Sequence, residues 1–268
     1  KQVLFGVDFR AESGQILGLI GKNGAGKTTI FHSILHFLEY SGRISFEGKA
    51  ISQDTYREIG YLPEERSLMP KLTVYEQVRY LANLKGVSSA VVREKLPQWM
   101  ERLQVKGKLT DKIKSLSKGN QQKVQLIITL LHEPNLIILD EPFSGLDPVN
   151  TEILKQVIIE EKERGATIIF SDHVMTNVEE LCDKIIMLRD GKVILDGSVQ
   201  EVRNRYGKTR LFVSSALSQA ELEALPHVSR ASLTNQGTWR LILDDETAGK
   251  DLFDLLTKGQ YIATFDQQ

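Results

Sequence analysis

The sequence predicts an α/β fold: a mainly parallel sheet wrapped by helices, an all-helical subdomain inserted into it, and a small ferredoxin-like α+β domain behind. Three observations carry this. The first is Gly21-Lys22-Asn23-Gly24-Ala25-Gly26-Lys27-Thr28-Thr29, which fits GxxxxGK[ST] and lies between an apolar run at 16–20 and a helix-like run at 29–35. The second is Leu136-Ile137-Ile138-Leu139, apolar and of strand length, ending in Asp140-Glu141-Pro142 as a buried parallel strand does at its carboxyl edge. The third is a strand and helix order of βαββαβ over the last sixty or so residues, the split βαβ plan.

Composition narrows the classes. In 268 residues, 41% hydrophobic and 26% charged, there is material for one large domain and a small one. Net charge is −1, so no global basic footprint favours nucleic acid, and an anionic ligand must be gripped locally. Cys182 is the single cysteine, which excludes an internal disulfide framework and reads as a small buried hydrophobe. No apolar run reaches the ~18 to 20 residues that cross a bilayer, and the N-terminus shows no signal-peptide pattern. Work at a membrane would need another chain to cross it.

Taken in order, residues 2–10 alternate like an edge strand, Gly14 turns the chain, and 15–20 form the strand feeding the loop. A helix follows to about residue 38. His32 and His36 share it four apart, but no third ligand accompanies them, so they read as packing residues. Residues 42–48 and 58–62 read as strands, the second stopped by Pro63. From Thr73-Val74-Tyr75-Glu76, a capping box, helical periodicity runs to about 131, with Pro97 expected to kink or break a helix over 91–103 and another helix over 120–131. After the strand at 136–139, Asp147-Pro148 caps a helix that Gly165 stops; 166–170 is a strand, and Ser171-Asp172-His173 opens a helix ending near Cys182. Residues 184–188 and 192–195 form a hairpin through Arg189-Asp190-Gly191. Beyond it come a strand at 211–213, a helix capped by Ser218 and Glu221, strands at 228–233 and 239–243 around Asn235-Gln236-Gly237, a helix over 247–257 stopped by Gly259, and a strand at 261–265. The domains are 1–205, with the helical subdomain at about 73–131, and 206–268, divided near Tyr206-Gly207.

The glycine-rich loop carries the chemistry. Glycines at Gly21, Gly24 and Gly26 let successive backbone N–H groups turn inward around phosphate oxygens, and the next helix aims its unpaired N–H groups at the same anion. In such a loop Lys27 reaches the β- and γ-phosphates, and the Thr28 hydroxyl ligates magnesium. Lys22, Asn23, Ala25 and Thr29 supply further backbone groups to the same cradle.

Leu116-Ser117-Lys118-Gly119-Asn120-Gln121-Gln122, the strand ending at Asp140-Glu141, Ser144-Gly145-Leu146-Asp147 and His173 follow that loop in order. Together the five resemble the ATP-binding cassette (ABC) family over about residues 1–205, and most resemble the separate ATPase subunits of bacterial sodium-extrusion and drug exporters, which carry a small C-terminal appendage. The resemblance implies a P-loop NTPase cassette that binds ATP and Mg2+. It implies Asp140 as a magnesium-holding carboxylate, Glu141 as general base on the attacking water, His173 near the γ-phosphate and Glu64 as a ligand of metal or water. Ser117 and Gly119 would approach a nucleotide held by a second copy of the chain, so the expected unit is a homodimer around two ATP molecules. Its other partners would be integral membrane permease subunits, with export as the direction and the cytoplasmic face of the cell membrane as the place.

Three departures from the family pattern stand out. Lys118 and Asn120 replace a glycine and a glutamine of the usual LSGGQ, and Glu64 stands where glutamine is common. The aromatic that usually stacks on adenine would precede Lys1, so the N-terminus reads as truncated; Phe5 is a poor replacement. Between Glu64 and Thr73, Leu68, Met69 and Leu72 are apolar residues in a surface connection, suited to receive a short permease helix. The rival reading is a soluble ABC ATPase acting on ribosomes or DNA, but the chain carries neither a second cassette nor a coiled-coil arm. A regulatory module without turnover is a third, against which Glu141 argues.

Overall fold

The computed structural model describes residues 2–52, 54–206, 209–235, 237–257 and 261–267. The chain divides into two compact units, Lys1–Ser198 and Val199–Gln268. Helix Val199–Tyr206 thus goes with the second unit, whereas the sequence placed the change at 205/206; Gly207 lies outside the described residues.

The first unit runs β1 (Ile16–Ile20), α1 (Lys27–Ile34), β2 (Ser45–Phe46), β3 (Lys49–Ala50), β4 (Ile59–Leu62), α2 (Val74–Leu84), α3 (Ser89–Arg102), α4 (Lys118–Leu130), β5 (Leu136–Asp140), α5 (Pro148–Glu163), β6 (Thr167–Ser171), α6 (Met175–Leu181), β7 (Lys184–Arg189) and β8 (Lys192–Ser198). Its sheet has the order β4-β5-β6-β1-β7-β8, parallel as far as β7 and closed by the antiparallel β8. Every residue of β1, β5 and β6 is buried, as expected of strands covered on both faces. This order decides where the chemistry falls. Strands β1 and β5 flank β6, with Ser171 opposite Leu19 on one side and Asp140 on the other. The glycine-rich loop and the two carboxylates therefore emerge at one edge, on either side of the end of β6.

Several elements differ from expectation. Residues 2–10 form no strand; Gly6 sits at φ 75, Phe5 N donates to Gly191 O at 2.8 Å, and Leu4, Val7 and Phe9 pack on the core without a ladder. Residues 42–48 hold only β2, which turns back at once through Glu47 and Gly48, both at positive φ, to pair with β3. Helix α1 stops at Ile34 because His36 turns to φ 54. Helix α3 runs unbroken through Pro97. The residue four back, Arg93, is exposed like Pro97 itself, so the freed carbonyl faces water while Leu96, Trp99 and Met100 keep the inner face buried. The Thr73–Glu76 capping box is present on α2. Residues 184–189 and 192–198 pair as a hairpin, as expected.

The second unit contains α7 (Val199–Tyr206), β9 (Arg210–Val213), α8 (Gln219–Glu223), β10 (Val228–Leu233), β11 (Trp239–Leu243), α9 (Gly249–Thr257) and β12 (Phe265–Gln267). Its sheet order, β10-β11-β9-β12, is all antiparallel and is the split βαβ arrangement. Leu211, Val213, Leu222, Leu241 and Leu252 fill its own core. The last strand lies at 265–267 rather than 261–265, and the expected turn residue Gln236 and helix stop Gly259 fall outside the described residues. Among the described residues no helix is long and apolar enough to cross a membrane.

One buried ionisable group has a consequence for stability. His132, just past α4, is bonded through Nε2 to Ile59 O at 3.2 Å, while its Nδ1 is buried without a partner. Burial, then the charge of Lys85, lower its pKa to about 4, with Arg164 adding to the effect. The folded state therefore holds fewer protons here than the unfolded chain, so stability is full above pH ~6.5 and is lost as pH falls toward 4. We expect His132→Gln to flatten the decline in unfolding free energy between pH 7 and 5 by about 1–2 kcal/mol, measured by urea titration. Parallel pH curves for the two proteins would contradict this.

Candidate functional site

Each glycine of the loop has its own reason. Gly24 and Gly26 have φ of 82° and 110°, which a side chain resists. Gly21 is there for space: a Cβ would stand 2.7 Å from Leu188 O of the neighbouring strand. The loop is closed by Ala25 N donating to Lys22 O at 3.0 Å, and Gly191 N in the β7–β8 turn donates to Ala25 O at 3.1 Å. Lys27 is buried, with its Nζ folded onto Gly21 O at 2.8 Å. No side chain caps α1, so its first N–H groups are left for an anion in the loop. Lys22 and Asn23 are exposed on the rim, and Thr29 is half-buried on the first turn.

The acidic half faces this loop. Asp140, 1% exposed, accepts from Thr28 Oγ1 at 2.9 Å through one oxygen and from Ser171 Oγ at 2.6 Å through the other. Glu141 leaves the strand at φ 49, a left-handed conformation that costs a non-glycine residue about 1–2 kcal/mol. That turn is held by its N–H, which donates to both the carbonyl and the hydroxyl of Ser171, at 3.2 and 3.1 Å. The result carries Glu141 Oε2 to 3.2 Å from His173 Nδ1. His173 is itself placed by Asp172, whose buried carboxylate accepts from the N–H groups of His173 and Val174 and from Asn177 Nδ2, at 2.7, 2.9 and 2.8 Å. Loop and acidic pair are thus brought together. Sequence reasoning missed Ser171 and Asp172 as site residues; the signal for Ser171 was its place at the end of the strand next to Asp140.

Glu64 completes the cluster from the end of β4. Its pKa is raised by desolvation, then by the neighbouring charges of Glu141 and Asp140, with Lys27 acting against them. Tyr61 is pushed up to about 12 by burial, Asp140 and Glu64. So much negative charge, with hard hydroxyl and carboxylate oxygens of Thr28 and Asp140 converging, is a donor set that suits a divalent cation such as magnesium.

Ser117 and Gly119 stand elsewhere. Ser117 caps α4, its Oγ accepting from Asn120 N and Nδ2 at 3.3 and 3.0 Å. Gly119 abuts the start of α5, where a Cβ would lie 3.5 Å from Asn150 Nδ2 and 3.6 Å from Leu146 Cδ2. Among the described residues no hydrogen bond joins either to the glycine-rich loop. Lys118 is exposed on the first turn, and Asn120 is occupied in accepting from Lys106 N at 2.9 Å.

The family model described as "ABC transporter" matches residues 4–144, and the one described as "ATP-binding protein DrrA1-3-like, C-terminal domain" matches residues 197–268. An ABC transporter ATP-binding protein of Alkalihalophilus pseudofirmus is 42% identical, with 92% of this chain and 93% of that protein covered. The ABC transporter ATP-binding protein YhaQ of Bacillus subtilis is 40% identical over 97% of this chain and 88% of its own. Among solved structures, an ATP-binding subunit of an ABC transporter superposes with a TM-score of 0.71 at 35% identity, covering 76% of this chain and 87% of that one. The CbiO1 protein of Clostridium perfringens, part of the transporter complex CbiONQ, gives 0.66 at 28% identity, covering 75% and 83%.

The Ser171 geometry can be tested without nucleotide. Ser171→Ala leaves Asp140 Oδ1 and the Glu141 N–H each short of a hydroxyl partner inside the fold, at an expected cost of about 1–3 kcal/mol in urea-unfolding free energy. A loss below about 0.5 kcal/mol, the lower end for one ordinary hydrogen bond, would contradict the arrangement.

Proposed function

Because the chain belongs to the ABC transporter family of ATP-binding subunits, which hydrolyse ATP to drive transport through a separate permease, we propose that it does so with the residues assembled at the edge of its sheet. One observation supports this above others: Glu141 is held by Ser171 and His173 beside the Asp140–Thr28 pair at the mouth of the glycine-rich loop. Backbone N–H groups from Gly21 to Thr29 would surround the phosphates, with the Lys27 ammonium against the β- and γ-oxygens. Thr28, Asp140 and Glu64 would hold Mg2+, which when bound neutralises charge on those oxygens. Glu141 then accepts a proton from a water that attacks the γ-phosphorus as the bond to the β-phosphate oxygen breaks. His173, 3.2 Å from Glu141 and 61% exposed at its side chain, stands where it can hold that carboxylate and meet the γ-phosphate.

The site is incomplete in one chain, since Ser117 and Gly119 make no bond to their own loop. A homodimer supplies them across a two-fold axis, each copy closing its partner's nucleotide. We infer peripheral attachment at the cytoplasmic face of the membrane through permease subunits, with export as the direction. Leu68 and Met69 would contribute to the docking surface. Met69 is 42% exposed, and its N–H is pinned at 2.7 Å to the fully buried Gln77 Oε1, so an apolar side chain is presented from an anchored backbone.

Glu141→Gln should retain ATP affinity by calorimetry while hydrolysis slows by about two to four orders of magnitude. Turnover within about tenfold of the parent would remove Glu141 from the role of base. For docking, Leu68→Glu with Met69→Glu is expected to abolish co-purification with the permease subunits, with ATP binding unchanged. Normal assembly of that double variant would move the docking surface elsewhere.

A further inference from the structure

Strand β4 is the edge of the sheet, paired with β5 on one side only. An edge leaves alternate carbonyls unpaired, and here they are answered by side chains instead of a strand. His132 Nε2 is bonded to Ile59 O at 3.2 Å, Thr129 Oγ1 shares its one proton between Tyr61 O at 3.3 Å and Gln125 O at 3.0 Å, and Gln125 Nε2 donates to Pro63 O and Glu65 O, both at 3.4 Å. The carbonyls belong to every second residue from 59 to 65. Residues 125, 129 and 132 follow the four-and-three spacing of one helix face, the last just beyond the end of α4. Backbones are close as well: a Cβ on Gly60 would stand 2.5 Å from Thr129 O.

We propose that Gln125 is a positioning residue for Glu64 and, through it, for the metal and water at the hydrolytic site. This rests on the ATPase reading above. Gln125 is 4% exposed, and its single amide nitrogen reaches the carbonyls on both sides of Glu64. Its own Oε1 is buried without a partner. A leucine or methionine would fill the same space with no orphaned oxygen, so what glutamine adds is the donor. Glu64 lies close enough to Glu141 and Asp140 for their charges to act on it, and repulsion among the three favours its swinging away. The amide of Gln125 grips the backbone at both flanks and limits that swing. Because Ser117 caps α4, the same ladder ties the residue offered to the partner's nucleotide to the carboxylate at the chain's own.

The test is a double-mutant cycle on the purified full chain, with MgATP turnover, ATP affinity and thermal midpoint measured for Gln125→Met, Glu64→Ala and both together. Gln125→Met should lower kcat about tenfold, the scale of a small misplacement, with ATP affinity within about twofold of the parent. In the Glu64→Ala background the same change should have no further effect on kcat. Equal losses in both backgrounds, or no loss in the parent, would overturn the proposal. Thr129→Val, which removes a rung three residues before Glu64, should lower the thermal midpoint and leave kcat unchanged; a loss of kcat equal to that of Gln125→Met would also overturn it. If Gln125→Met does not fold, Gln125→Asn, whose shorter amide cannot span both carbonyls, enters the same cycle with the same criteria. Failure of the underlying reading looks different: the parent itself would not hydrolyse ATP, or Glu141→Gln would turn over normally.

Discussion

The carboxylate of Asp140, sealed from solvent between the hydroxyls of Thr28 and Ser171, is the interaction on which the site depends. A buried charge is tolerable only if its oxygens are satisfied, and here the two donors come from the end of the next strand, β6, and from the helix that follows β1 beyond it. Thr28 belongs to the helix after β1, and Ser171 ends β6, so one side chain fastens three neighbouring segments. Loop geometry, carboxylate position and sheet order are therefore a single constraint. Ser171 serves both acids: its hydroxyl donates to Asp140 and receives the N–H of Glu141, whose left-handed backbone would otherwise have little to hold it.

That arrangement gathers Glu64, Asp140 and Glu141 close enough to act on one another, with the Lys27 charge acting on Glu64 against them. Burial first, and this repulsion second, raise the pKa of Glu64 and, strongly, that of Tyr61. Such a site suits a divalent cation, which would relieve the repulsion when bound. The strain at Glu141 belongs to the same arrangement, since its left-handed φ carries the carboxylate out of the strand and beside His173.

The helical part is fastened to this edge by polar groups as well as by packing. The side-chain ladder from α4 answers the free carbonyls of β4, and the buried Gln77 amide on α2 receives the Met69 N–H. Both grip the stretch between Pro63 and Met69, which leads from the acidic cluster to the apolar surface at Leu68 and Met69. Two amide atoms there, Gln77 Nε2 and Gln125 Oε1, are buried without partners. They are bonding capacity that a small shift of the stretch could recruit.

The sequence by itself determined the phosphate loop, the strand ending at Asp140–Glu141, the helical insert and the split βαβ plan of the last domain, because each is written in local spacing: glycines, apolar runs and caps. It also pointed to His173, through the order of motifs. Only the tertiary structure decided that residues 2–10 lack a ladder and that α3 survives Pro97, since both depend on what faces water. Ser171, Asp172 and Gln125 became site residues only there. A serine at a strand end or a glutamine in a helix has no local signature, and each acquires its role from a neighbour far along the chain: β6 set between β1 and β5, and α4 laid against the open edge of β4.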